Sequence, residues 1–120
     1  MTAKEFVQKF YKSDALIDSA VMKDFLHNEV SLEWHSSTGF ITHDYNSLLI
    51  LADELGKAYV RSKIRISHII AEENVISVRY SHYVKTVENP REEMLLAHFM
   101  TIWEIKDDKL YKGYQMSQLS

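Results

Sequence analysis

Apolar side chains recur at helical spacing from the start of the chain, where Phe6, Val7, Phe10 and Tyr11 form one stripe. Ser13-Asp14 offers a break. A second helical pattern follows through Leu16, Ile17, Ala20, Val21, Phe25 and Leu26, ended by His27-Asn28. Val30, Leu32 and Trp34 then alternate with Ser31, Glu33 and His35, which is the period of a strand. Ser36-Ser37-Thr38-Gly39 is turn chemistry. Thr42 or Asp44 can cap a further helix carrying Tyr45, Leu48, Leu49, Ala52, Leu55 and Tyr59. So apolar a helix is expected to lie against a sheet, with Gly56 marking a frayed end.

The rest of the chain reads as strands over about Ser62 to Ala71, Val75 to Val87, Glu93 to Ile105 and Leu110 to Gln118. Turns fall at Glu72-Glu73-Asn74, at Asn89-Pro90-Arg91 and at Lys106 to Lys109. Connections this short predict an antiparallel meander. A curved antiparallel sheet with helices across one face is the economical α+β arrangement. The strand from Glu93 is apolar on both faces, with Leu96, Met100 and Ile102 on one and Leu95, Phe99 and Trp103 on the other. Helices can cover one face. The other calls for a second cover, and a partner subunit is the expected one.

A length of 120 residues fits one domain spanning 1–120. The net charge is −3 with no basic run, which argues against nucleic-acid binding. There is no cysteine, so disulfides, thiolate catalysis and cysteine-based zinc sites are excluded. Met1 to Lys12 lacks the apolar centre of a signal peptide. No apolar run approaches the ~20 residues needed to cross a bilayer. A cytoplasmic protein with no membrane partner is the expectation.

Several phrases carry a family resemblance: Phe25-Leu26-His27-Asn28-Glu29-Val30-Ser31-Leu32, Gly39 before the helix from Asp44, and Thr101-Ile102-Trp103-Glu104-Ile105-Lys106-Asp107-Asp108-Lys109-Leu110. With the element order, they resemble the SnoaL-like group of the nuclear transport factor 2-like superfamily over nearly the whole chain. The resemblance implies an α+β cone, a curved sheet wrapped around N-terminal helices with a central pocket, commonly dimeric. It also implies a choice among polyketide cyclases, ketosteroid isomerases, dehydratases, epoxide hydrolases and non-catalytic binders, so fold does not settle function. The isomerase branch uses an Asp base on the first strand, a Tyr on the first helix and a protonated Asp on a late strand. Matched by resemblance, Trp34, Phe10 and Met100 take those places, and none can abstract a proton.

His68, His82 and His98 share strand parity with Tyr80, Met100, Ile64, Ile66, Ile70, Ile76 and Val78. With hairpin centres near Glu73 and Pro90, His82 faces His98 at ~5 Å between Cβ atoms and His68 faces Val78. Neutral imidazoles there can serve as general bases. The plainer alternative is that they are half-buried and hydrogen-bonded within the sheet. A pair of histidines is an incomplete metal site, so no metal is assigned. Trp103, Arg79, Ser77 and Ser81 have the opposite parity and are expected outside, as are Glu33 and His35. Asp44, beside His43, fits a helix cap.

The expected pocket contacts are therefore Phe10, Tyr11, Trp34, Leu55, Ile66, His68, Tyr80, His82, His98 and Met100, with His82 and His98 as candidate catalytic groups. The expected partner is a small apolar or aromatic molecule, beside a second copy docked through the outer sheet face. No Gly-rich phosphate loop is present, and no cofactor is implied. The primary expectation is a binding protein. The alternatives are a cofactor-independent isomerase, cyclase, dehydratase or hydratase, or a dimerisation or regulatory domain without ligand.

Overall fold

A computed structural model describes all 120 residues. Helix α1 spans Ala3–Lys12. It starts on a reciprocal cap: the Thr2 hydroxyl accepts from the Glu5 amide, and the Glu5 carboxylate accepts from the Thr2 amide, both at 3.1 Å. It ends where the Ser13 hydroxyl donates to the Phe10 carbonyl at 2.6 Å. Its Val7, Phe10 and Tyr11 are buried.

The second helical pattern is cut into a 3₁₀ turn, Ala15–Ile17, and a short α2, Ser19–Met22, capped by Asp18. Strand β1 begins at Leu26 and runs to Ser36, so Phe25 and Leu26 close no helix. The reason is tertiary. Leu26 pairs with Leu110, whose amide donates to the Phe25 carbonyl at 2.8 Å. Pairing of backbone groups outweighs a weak local helical pattern.

A short edge strand, β2, Gly39–His43, follows the turn. The sequence pattern did not reveal it, since four of its five residues are exposed and no apolar face sets its period. Helix α3, Tyr45–Ala58, starts at Asp44, which accepts from the Ser47 amide at 2.9 Å while the Ser47 hydroxyl accepts from the Asp44 amide at 2.8 Å. Gly56 does not mark fraying. A Cβ there would collide with the Ile17 carbonyl, so this glycine lets α3 lie against the 3₁₀ turn.

The long strands are β3 Tyr59–Glu72, β4 Val75–Thr86, β5 Met94–Lys106 and β6 Lys109–Leu119. Asp107 and Asp108 both have positive φ, 53° and 57°, the two-residue hairpin turn that matches strand twist. The curved sheet has the order β2-β1-β6-β5-β4-β3. It is not wholly antiparallel: β1 and β6 run parallel. The whole of β2 to β5 separates them, so no hairpin constrains their direction. The helices pack on one face, where Val7, Phe10, Leu26, Leu32, Ala52, Val78, Trp103 and Leu110 belong to a single core.

Register decides which side chains join that core. On β4 and β5, Ile76 faces Trp103, Tyr80 faces Phe99 and His82 faces Ala97. This is one residue away from the expected pairing of His82 with His98. A one-residue slip turns a whole strand over. Ala97, Phe99, Thr101, Trp103 and Ile105 are therefore buried, and His98, Met100 and Ile102 are exposed. On β3, Ile64 faces His82 and Ile66 faces Tyr80 in the expected register. A bulge then intervenes, so that His68 faces Arg79 and Ile69 faces Val78. The extra residue sends His68 and Ile70 outward.

Candidate functional site

The helix-facing side of the sheet encloses a cavity under α1, α2 and α3. It offers about 70 Å³ to the centres of water-sized spheres, several times the ~10–15 Å³ that one water requires. Of its 16 lining residues 14 are hydrophobic, and none carries a carboxylate, ammonium or guanidinium. Helix α1 supplies Phe10 and Tyr11, the strands supply Leu32, Trp34, Tyr80, His82, Phe99, Trp103 and Gln115, and α3 supplies Leu48, Leu51, Ala52 and Leu55.

Of the expected contacts, Phe10, Tyr11, Trp34, Leu55, Tyr80 and His82 line this space. Ile66 is half-buried and packs against the core beside it. His68, His98 and Met100 lie on the outer face, for the register reasons given above. His98 bonds to Ser81 at 2.9 Å and His68 to Ser67 at 3.0 Å, so the histidines do not form a cluster. Met100 is 55% exposed. With Met100 outside, the inward residues at that height are Phe99 and Thr101, and still no acid stands there.

Trp103, expected outside, is 3% exposed and lines the cavity. It faces Gly113 across β5 and β6. A Cβ on Gly113 would stand 2.6 Å from the Trp103 ring and 2.7 Å from Leu32 Cδ1. The lone glycine of β6 is the sequence signal for a large ring laid over that strand. Phe99 was missed for the same reason as Trp103, because the parity of β5 was read in the wrong register, and Gln115 because no face of β6 was assigned from its sequence.

Polar groups at the base form two hydrogen-bonded sets in ring contact with each other. Trp103 Nε1 donates to the Tyr11 hydroxyl at 2.9 Å. The Tyr80 hydroxyl donates to Gln115 Oε1 at 3.3 Å, and the Thr101 hydroxyl to the same oxygen at 2.8 Å. Tyr11 and Tyr80 rings lie 4.5 Å apart, and Tyr80 stacks on Phe99 at 4.9 Å. Burial raises the Tyr11 phenol above its ordinary value and pushes Tyr80 well above, the latter helped by Tyr11 beside it. Both stay neutral donors at physiological pH.

His82 is 3% exposed, and its Nε2 lies 2.7 Å from the Ser62 hydroxyl. Burial lowers its pKa to about 4. The ring is thus neutral near pH 7, one nitrogen held by Ser62. At the far end of β1, Trp34 Nε1 donates to the Ser117 hydroxyl at 2.8 Å. His43 is half-buried beside Trp34, bonds to Ser47 at 3.0 Å and is lowered by burial. Glu33 and His35 are exposed on the outer side.

No family model matches the sequence, and no curated relative does. Solved structures do match in shape. A putative SnoaL-like polyketide cyclase from Shewanella denitrificans OS-217 superposes with a TM-score of 0.73 at 7% identity, covering 96% of this chain and 89% of that one. An epoxide hydrolase of the LEH-like type from M. tuberculosis gives 0.70 at 14% identity, covering 96% and 81%. A nuclear transport factor 2-like protein from Burkholderia pseudomallei K96243 gives 0.68 at 14% identity, covering 96% and 90%. The chain therefore has the fold of the SnoaL-like and nuclear transport factor 2-like proteins, as the resemblance in its sequence implied. No helix is long and apolar enough to cross a membrane.

Proposed function

We propose that this chain, acting as one SnoaL-like domain over residues 1–120, binds a small uncharged molecule, apolar or aromatic, in the cavity beneath α3. The observation that carries this reading is the lining: a hollow walled by 14 hydrophobic residues out of 16, with no formal charge and a few aimed polar groups. Such walls suit small-molecule sites. Phe10, Tyr11, Trp34, Leu55, Tyr80 and His82 are the proposed contacts. Two of the structural neighbours are named for polyketides and epoxides, in keeping with this ligand class. The chain's 2 tryptophans both line the cavity, so their fluorescence is the natural reporter. Titration with small cyclic hydrocarbons and ketones is expected to give a saturable change that Leu55→Trp, filling the hollow, abolishes. No saturable change with any such compound would overturn the reading.

A second reading is favoured by His82 alone. A buried neutral imidazole anchored on one nitrogen can move a proton for an isomerisation, cyclisation, dehydration or hydration. His98, on the outer face, takes no part in it. A His82→Gln variant that binds a substrate yet no longer converts it would support this reading, and retained turnover would sink it.

We also propose a homodimer through the outer face, where Met100, Ile102, Tyr114 and Met116 are 38–65% exposed on adjacent strands. Sedimentation of wild type against Met116→Glu tests it: a dimer that the charge converts to monomer supports the interface, and a monomeric wild type overturns it.

A further inference from the structure

The hydrogen-bond arithmetic around Gln115 says more about the ligand than the apolar wall does. Trp103 Nε1 is a donor only, so the Tyr11 oxygen must accept from it. The Tyr11 ring itself packs against that of Tyr80, 4.5 Å between centroids. Tyr80 in turn donates to Gln115 Oε1, and Thr101 donates to that oxygen as well. A carbonyl oxygen has two lone pairs, so Oε1 is saturated. Turned over, the amide would donate to the Tyr80 and Thr101 oxygens and leave both hydroxyl hydrogens without an acceptor, which favours the orientation found. The other end of the amide, Nε2, has no partner within the protein and is not sealed into the packing. Gln115 is 7% exposed and lies on the cavity wall. A nine-tenths buried residue of the cavity wall thus carries two N–H bonds that no protein group accepts.

Donors in such a place are costly unless an acceptor meets them. We propose that Gln115 is the specificity-determining residue of the cavity, anchoring a carbonyl or ether-type oxygen of an uncharged ligand through its Nε2. This inference rests on the small-molecule reading above and narrows it. Carboxylates and phosphates are disfavoured, because no cation lines the wall to offset their desolvation. Hydrocarbons lacking the oxygen leave the amide unpaired.

The test uses cyclopentanone and its near-isostere methylenecyclopentane, with affinities read from tryptophan fluorescence in wild type and in Gln115→Met. Loss of one hydrogen bond is expected to weaken cyclopentanone by about fivefold to tenfold while methylenecyclopentane binds no more weakly. Gln115→Met also removes the acceptor for Tyr80 and Thr101, so folding of the variant is a separate risk. The wild type therefore supplies its own readout. The side-chain amide protons of Gln115, followed by NMR, are expected to move downfield with cyclopentanone and not with methylenecyclopentane. Both probes binding with an equal amide response and no variant discrimination would overturn the role of Gln115 and leave the apolar cavity standing. Failure of both to bind at all would bring down the cavity reading with it.

Discussion

His82 and His98 sit on neighbouring strands, almost side by side, and meet opposite fates. His82 faces Ala97 and is buried, with its ring on Ser62 and its pKa lowered to about 4 by burial. His98 faces Ser81 and is exposed. The same residue type therefore sits on the wall of an apolar cavity in one case and on an open sheet face in the other. The difference is the register of one hairpin. In this sheet the chemistry of a side chain follows parity, and parity on β5 is set by a bulge: Tyr83 faces Leu95 but His82 faces Ala97, so Leu96 is an extra residue that turns the rest of the strand over.

Core truncation gives the sharpest contrast between the faces. Trp103→Ala is expected to cost about 3–5 kcal/mol in denaturant unfolding, whereas Met100→Ala in the dilute monomer should stay within about 0.5 kcal/mol. Comparable losses at the two positions would mean the register is wrong.

The next effect in size depends on pH. The unfolded chain carries His82 at its ordinary 6.5, against about 4 when folded. Between those values the unfolded state binds more protons, so stability rises with pH there. The contribution is fully present above about pH 6.5 and is lost progressively as pH falls towards 4. At 1.36 kcal/mol per pH unit the gap amounts to about 3 kcal/mol. Comparing unfolding at pH 4.5 and 7.5 in His82→Gln and His98→Gln isolates it. The first variant should flatten that slope and the second should leave it intact; the reverse would exchange the two roles.

Two glycines sharpen the comparison further, since they let the inner face pack. Gly113→Ala should destabilise by about 1–3 kcal/mol, because its Cβ would press on Trp103 and Leu32. Gly56→Ala should also destabilise, against the gain of up to ~1 kcal/mol that helix propensity alone would give. Thermal melts of both variants check this, and a more stable Gly56→Ala would show that α3 has room to shift away from Ile17. The smallest effect is expected on the outer face, where His68→Gln should change stability by less than about 0.5 kcal/mol.

Local pattern was enough to read most element types and most of their order. Capping at Asp44, the turns at Glu73, Pro90 and Asp107, and the alternation of β1 and β4 are local signals. Local chemistry reads directly from neighbouring residues. It also placed Phe10, Tyr11, Trp34, Leu55, Tyr80 and His82 on the helix-facing side, because helical stripes and strand alternation depend on no distant partner. The rest depends on long-range contacts. Strand β2, the parallel pairing of β1 with β6, and the early end of the second helix all come from contacts between residues far apart in sequence. The facing of β5 hung on one extra residue, Leu96, between the Tyr83–Leu95 and His82–Ala97 pairs, and the outward turn of His68 on the bulge in β3. Alternation fixes two faces but not which is inside. Burial of Trp103 against Gly113 and closure of α3 over the cavity settle that choice, and with it which histidine meets the hollow.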